Sequence, residues 1–183
     1  MFYFTSDLHF NHVNILSYTK RPWKSVEEMN EGLISNWNNI VKKEDTVYVL
    51  GDFAMGNRKE IPNFLSRLNG EIVLIAGNHD SANSIQYFRN FVHSLSISMP
   101  NGKYVELVHN PADAKCEHDY VFCGHVHEEW VIKRKGDILP ADKYHKSNTN
   151  DKEIIANVPF INVGVDVQNY RPRTLEELIE LLS

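Results

Sequence analysis

Short apolar runs recur along the chain, and each ends in a polar residue suited to chemistry. Met1 to Thr5 is followed by Ser6-Asp7-Leu8-His9, Thr46-Val47-Tyr48-Val49-Leu50 runs into Gly51-Asp52, and Ile72 to Ala76 ends in Gly77-Asn78-His79-Asp80. Lys103 to Val108 ends at His109, and Tyr120 to Cys123 stops at Gly124-His125-Val126-His127. Runs this short and this rich in β-branched and aromatic residues predict buried strands.

Helical spacing fills several of the intervals. Val13, Ile15 and Leu16 start one helix. Ser25 as N-cap, Glu28 three residues on, and apolar Met29, Leu33, Trp37 and Ile40 predict a helix of about 16 residues on a sheet. Ile61 to Leu68 is a further helix stopped by Asn69-Gly70, and Ser84 to Phe91 reads as a short one. Val92 to Ser98 and Lys103 to Val108 flank Pro100-Asn101-Gly102, a hairpin signal. The pattern weakens from Glu128 to Asn157, a stretch that includes the polar run Ser147 to Asp151. Val158 to Val167 returns to strand character, and Thr174 caps a terminal helix carrying Leu175, Leu178, Ile179 and Leu182. Strands alternate with helices early and form hairpins later, so the expected class is α/β with mixed sheets. No repeat, low-complexity tract or linker interrupts the chain, and residues 1–183 are expected to form a single domain.

Composition narrows the function. A hydrophobic content of 42% and a charged content of 23% in 183 residues suit a globular core and exclude disordered and collagen-like classes. No basic leader precedes an apolar stretch and no run of about 18 apolar residues occurs, so a cytoplasmic protein without a membrane span is expected. The two cysteines, Cys116 and Cys123, form no CxxC pair and are expected to stay thiols. A net charge of -5 argues against broad neutralisation of nucleic-acid phosphates. It leaves room for a small anionic substrate, because bound divalent cations would supply a local positive field.

Taken singly the polar endings are weak signals: Asp-x-His after a strand is more often a turn with a satisfied histidine. In an extended segment residues two apart point the same way, so Asp7 with His9, and His125 with His127, could each face one point. Together the endings say more, since five of nine histidines directly follow predicted strands and are joined by Asp7, Asp52 and Asn78. In open α/β folds the carboxyl ends of strands are where ligands bind. Nitrogen and oxygen donors without a thiolate suit Mn, Fe, Zn, Ni or Co, with manganese favoured. The donors are too many for one ion. Two divalent ions about 3.5–4 Å apart, bridged by a carboxylate, are an arrangement used for in-line displacement at phosphorus.

The order Asp7-x-His9, Gly51-Asp52, Gly77-Asn78-His79-Asp80, His109, Gly124-His125-x-His127 resembles the calcineurin-like metallophosphoesterase superfamily over residues 7 to 127. The chain is similar in particular to small single-domain bacterial and phage members, which often begin with a Ser-Asp-Leu-His-Phe type segment and end in an Asn-Val-x-Val-Asp strand, here Asn162 to Asp166. One departure is Val108-His109, where the family usually has Gly-His.

The resemblance implies a sandwich of two mixed β-sheets flanked by α-helices. It also implies that Asp7, His9, Asp52 and His127 hold a first metal and that Asp52, Asn78, His109 and His125 hold a second, with Asp52 bridging. A metal-bridging water would supply hydroxide to attack phosphorus. His79 would protonate the leaving group as general acid, and Asp80 would accept from the other ring nitrogen of His79. His12 could touch substrate phosphate, and Trp130 beside Lys133, Arg134 and Lys135 could form a lip that stacks a base. The plainer readings are a surface histidine and a solvated basic loop.

The expected activity is hydrolysis of phosphodiester or phosphomonoester bonds of a nucleotide or another small phosphorylated molecule. Phosphoprotein substrates are disfavoured, because Phe53-Ala54-Met55-Gly56 replaces the Asp-Arg-Gly extension. A nuclease, or a non-catalytic scaffold of the same fold, is the alternative.

Overall fold

A computed structural model describes residues 1–140 and 154–183. In chain order its elements are β1 (Phe2–Thr5), α1 (Ile15–Tyr18), α2 (Val26–Asn38), β2 (Thr46–Val49), α3 (Ile61–Arg67), β3 (Glu71–Ile75), α4 (Ala82–Ile85), β4 (Asn90–Val92), β5 (Ser94–Ser98), β6 (Tyr104–Val108), β7 (Tyr120–Cys123), β8 (Ile132–Lys133), β9 (Ile138–Leu139), β10 (Ile154–Ile155), β11 (Phe160–Asn162), β12 (Arg173–Thr174) and α5 (Leu175–Glu180). Short 3-10 turns precede α3 and follow β6.

Two five-stranded mixed sheets form the α/β fold, in the orders β12-β1-β2-β3-β4 and β5-β6-β7-β11-β8. In the first, β1 to β4 run parallel and β12 pairs antiparallel with β1. In the second, β6, β7 and β11 run parallel between antiparallel edge strands. Side chains alternate across both sheets because successive residues of a pleated strand point to opposite faces, and apolar residues occupy both faces because both are covered. Phe4, Ile75, Leu107, Phe122 and Ile161 point into a shared core between the sheets, and the Phe4 and Phe122 rings meet edge to face at 5.1 Å. Tyr3, Val47, Val49 and Leu74 point the other way, onto Met29, Leu33 and Trp37 of α2 and Phe64 of α3. The outer face of the second sheet, Val121, Cys123 and Phe160, packs against Val126, Trp130, Leu139 and Ala156.

Several element boundaries differ from expectation. The Ser25 helix is 13 residues long; Ser25 accepts from the Glu28 amide, but the Glu28 carboxylate reaches back to the Lys24 amide, one residue beyond the cap. The expected helix over Ser84–Phe91 is one turn, after which Asn90–Val92 extends the first sheet by pairing with Val73–Ile75. Sheet pairing thus overrides local pattern there. Strand structure in Val158–Val167 is confined to Phe160–Asn162, with turns beyond it. The hairpin about Pro100-Asn101-Gly102 and the Thr174 cap form as expected, the latter as a full capping box with Glu177. The polar run Ser147 to Asp151 lies outside the described residues. Among the described residues, no helix is long and apolar enough to cross a membrane.

Candidate metal centre

The carboxyl ends of β1, β2, β3, β6 and β7 open onto one edge of the sandwich, and the turns that follow carry the predicted site residues. Two of these turns are laced together: the amides of Asp7, His9 and Phe10 donate to the carbonyls of Gly51, Asp52 and Phe53 at 2.9–3.0 Å. The backbone is not extended there. Asp7, His9, Asp52, His125 and His127 all have positive φ, from 44° to 71°. The i,i+2 pairs therefore converge through left-handed kinks, which Asp and His tolerate better than most residues, and not through strand alternation. Gly51 has φ +86°, and a Cβ there would stand 2.3 Å from His109 Nδ1; at Gly124 it would stand 1.9 Å from Ser6 Oγ. Both turns need a residue without a side chain.

Asp52 lies at the centre. Its Oδ2 is 3.5 Å from His9 Nε2 and 3.5 Å from His109 Nε2, while its Oδ1 accepts from the His79 amide at 3.0 Å. Two groups, Asp7–His9–His127 and Asp7–Asp52–His109, each bring their ligand atoms within 4.8 Å of one another. These groups overlap at Asp7, whereas the expected bridge is Asp52. Each carboxylate has one oxygen engaged by an amide, Asp7 Oδ2 by His125 at 2.9 Å and Asp52 Oδ1 by His79 at 3.0 Å, and its other oxygen toward His9 Nε2, at 4.0 and 3.5 Å. His109 Nε2 and His125 Nδ1 lie 2.8 and 3.1 Å from Asn78 Oδ1, and 3.2 Å from each other. All seven predicted ligands thus lie in one cluster, with Asp7, His9, Asp52, His109, His125 and His127 buried.

The donor chemistry fits divalent cations. Asp7 Oδ1 and both ring nitrogens of His9 are buried without a hydrogen-bond partner among the described residues. Buried polar atoms are rarely left so unless something else satisfies them. Burial, with His127, Arg21, His12 and His79 nearby, holds His9 well below the ordinary imidazole range, so it is a neutral donor. Burial alone would lower His109 too, but Asp52, Asp7 and the bond to the Leu50 carbonyl raise it overall. His127 behaves likewise: burial pulls it down, and its bond to Asp166 together with the Asp7 charge raises it.

Other assignments move. Among the described residues no hydrogen bond joins Asp80 to the His79 ring. Asp80 instead accepts from the amides of Asp52 (2.7 Å), Phe53 (3.2 Å) and Gly77 (2.9 Å), strapping the β2 turn to the β3 turn. Burial raises its pKa, and those amides counter the rise in part. Trp130 is only 9% exposed and packs against the second sheet, where it cannot offer a face to a base. Arg134 donates to the Leu182 carbonyl, away from the site. His79 stands at the rim, its side chain 42% exposed and its Nε2 4.0 Å from Asp52 Oδ2. The His12 ring lies 5.2 Å from that of His9, and burial lowers its pKa.

Two residues at the site were missed by sequence reasoning. Asp166 accepts from His127 Nδ1 at 2.8 Å and from Arg21, whose guanidinium is buried beside it. Asp166 lay within the Asn162–Asp166 segment but had no assigned role; Arg21 sits in an irregular loop with no pattern to mark it.

A model of the calcineurin-like phosphoesterase superfamily domain matches residues 2–164. The chain belongs to this superfamily. Calcineurin-like phosphoesterases bind divalent metals, in keeping with the Asp and His groups described above. The chain is 37% identical over 183 residues to an uncharacterised protein of Methanocaldococcus jannaschii, covering 99% of this chain and 90% of that one. It is also 37% identical over 81 residues to the gene 66 protein of Mycobacterium phage L5, covering 43% of this chain and 39% of the phage protein. Among solved structures, a protein of unknown function from Aquifex aeolicus matches with a TM-score of 0.72 at 27% identity, over 99% of this chain and 98% of that one.

Proposed function

We propose that this calcineurin-like phosphoesterase holds two divalent ions and hydrolyses phosphodiester or phosphomonoester bonds of a nucleotide or another small phosphorylated substrate. One observation carries the reading: a single oxygen, Asp52 Oδ2, stands 3.5 Å from imidazole nitrogens of two different turns, each of which leads to further donors. Asp7, His9, Asp52 and His127 would hold one ion, and Asp52, Asn78, His109 and His125 the other. When bound, the ions supply Lewis acidity, which neutralises charge developing at phosphorus and makes water acidic enough to act near neutral pH.

The chain's own residues do the rest. His79 is fixed through its amide by Asp52 and exposes its ring at the rim, where it can give a proton to a departing alkoxide. His12 sits beside it and is suited to a phosphate oxygen on the substrate side. Asp80 contributes indirectly, by keeping the Asp52 turn against the turn that bears Asn78 and His79. Manganese is the favoured metal, and the two free thiols, Cys116 and Cys123, suit a cytoplasmic setting.

The test combines metal analysis of protein purified without chelator with a panel of mono- and diesters assayed separately with Mn, Ni, Zn and Mg. Two ions per chain and metal-dependent turnover are expected. His79→Ala should keep both ions and lose about 10²–10⁴-fold on esters with poor leaving groups, but far less on nitrophenyl esters. Equal loss on both ester types would remove the general-acid role, and absence of bound ions together with no turnover would remove the enzyme reading.

A further inference from the structure

We infer that Arg21 and Asp166 are positioning residues for one half of the centre only, so that one of the two ions depends on them and the other does not. The inference rests on the two-ion reading proposed above. Asp166 receives four hydrogen bonds: from Thr19 Oγ1 at 3.1 Å, Arg21 Nε at 2.8 Å, Arg21 Nη2 at 3.1 Å and His127 Nδ1 at 2.8 Å. The same guanidinium reaches the other way. Arg21 Nη1 donates to the Leu8 carbonyl at 2.8 Å, and Nη2 donates to the Asp7 carbonyl at 2.7 Å. One buried side chain therefore ties the turn that carries Asp7 and His9 to the carboxylate that orients His127. These segments are more than a hundred residues apart in sequence.

Stability alone does not account for the pair. Both side chains are fully buried, and burying two charges costs enough that well-packed apolar residues usually serve as well or better. Apolar residues could not do two other things. They could not hold the carbonyls of Asp7 and Leu8 while Asp7 and His9 sit at φ 57° and 52°. They also could not fix the His127 ring through Nδ1, a carboxylate–histidine contact of the kind that sets tautomer and direction in metal ligands.

The other half is held by different contacts. His109 is anchored through Nδ1 to the Leu50 carbonyl, at 2.7 Å, and His125 and Asn78 contact His109 directly. Neither Arg21 nor Asp166 bonds to any of these three among the described residues.

The experiment measures ion occupancy in the full chain. Wild type, Asp166→Asn and Arg21→Lys are titrated with Mn(II) against a competing chelator, and Mn(II) electron paramagnetic resonance distinguishes a spin-coupled pair from an isolated ion. Wild type should bind two ions and show the pair signal. Both variants should weaken one binding step by about 10–100-fold and leave the other at its wild-type value, so that an isolated-ion signal persists at limiting metal. Arg21→Lys keeps the charge and loses the planar fork, so its failure to rescue would show that geometry is what matters.

Melting of the chelated variants checks folding. If Asp166→Asn does not fold, Thr19→Val, which removes one of the four donors, should produce a smaller loss at the same step. Unchanged affinity at both steps, or equal weakening of both, would overturn the inference. Fewer than two ions on wild type would overturn the two-ion reading itself before any variant is compared, and the inference with it.

Discussion

The two halves of the proposed centre are built by different means. On the Asp7–His9–His127 side, two buried side chains do the holding: the Arg21 guanidinium bonds the backbone of the turn, and the Asp166 carboxylate bonds the His127 ring. On the Asn78–His109–His125 side, the Leu50 carbonyl anchors His109, and the Asp80 carboxylate accepts from three amides and so straps the β2 turn to the β3 turn. Under the proposed reading Asp52 belongs to both. The Leu50 carbonyl is an anchor that no side-chain substitution removes, whereas the contacts of Arg21 and Asp166 make the geometry dependent on residues outside the donor set.

The largest effect should come from removing what the halves share. Asp52→Asn should weaken both ions and lower turnover on the order of 10³-fold or more, read by metal content and by initial rates. Retention of one ion at full affinity would show that the halves do not share this oxygen. Asn78→Ala should strike the second half alone, with a loss of about 10–100-fold in one binding step and the Asp7 side unaffected; competition with a chelator separates the two.

The smallest effect is a graded one with pH. His109 and His127 are both raised, so each stays protonated to a higher pH than an ordinary imidazole at 6.5. A protonated ring cannot ligate, so affinity should be full at high pH and fall as pH drops through these raised values, beginning above 6.5. The slope should be about tenfold per pH unit for each proton displaced, measured by equilibrium dialysis. His9 is lowered and should not limit binding. A flat profile across that range would mean that the rings are already neutral.

The sequence made the donors legible because each follows an apolar run, and the run lengths placed most of the strands. It could not show what the donors rest on. Arg21 is an ordinary arginine in a loop until the fold brings Asp166, 145 residues away, to its guanidinium. Asp80 follows His79, which invites pairing the two, yet the carboxylate turns toward amides that only the β2 and β3 turns together provide. Trp130 lies amid basic residues and suggests a surface lip; its burial follows from its packing on the outer face of the second sheet, which the pattern of any single segment does not reveal. The short strand at Asn90–Val92 is set by its partner β3 and not by its own spacing.

The left-handed turns have a further consequence. Five side-chain-bearing residues, Asp7, His9, Asp52, His125 and His127, occupy a region that costs non-glycine residues roughly 1–2 kcal/mol each. Glycine at these positions would relax the backbone and abolish the donors. The cluster is thus a place where thermodynamic ease and ligation oppose one another, and loading with cations, which favours only the folded arrangement, shifts that balance toward the native state. If the centre fills as proposed, thermal denaturation and metal release are linked equilibria, and the melting temperature should rise with the solution's free metal.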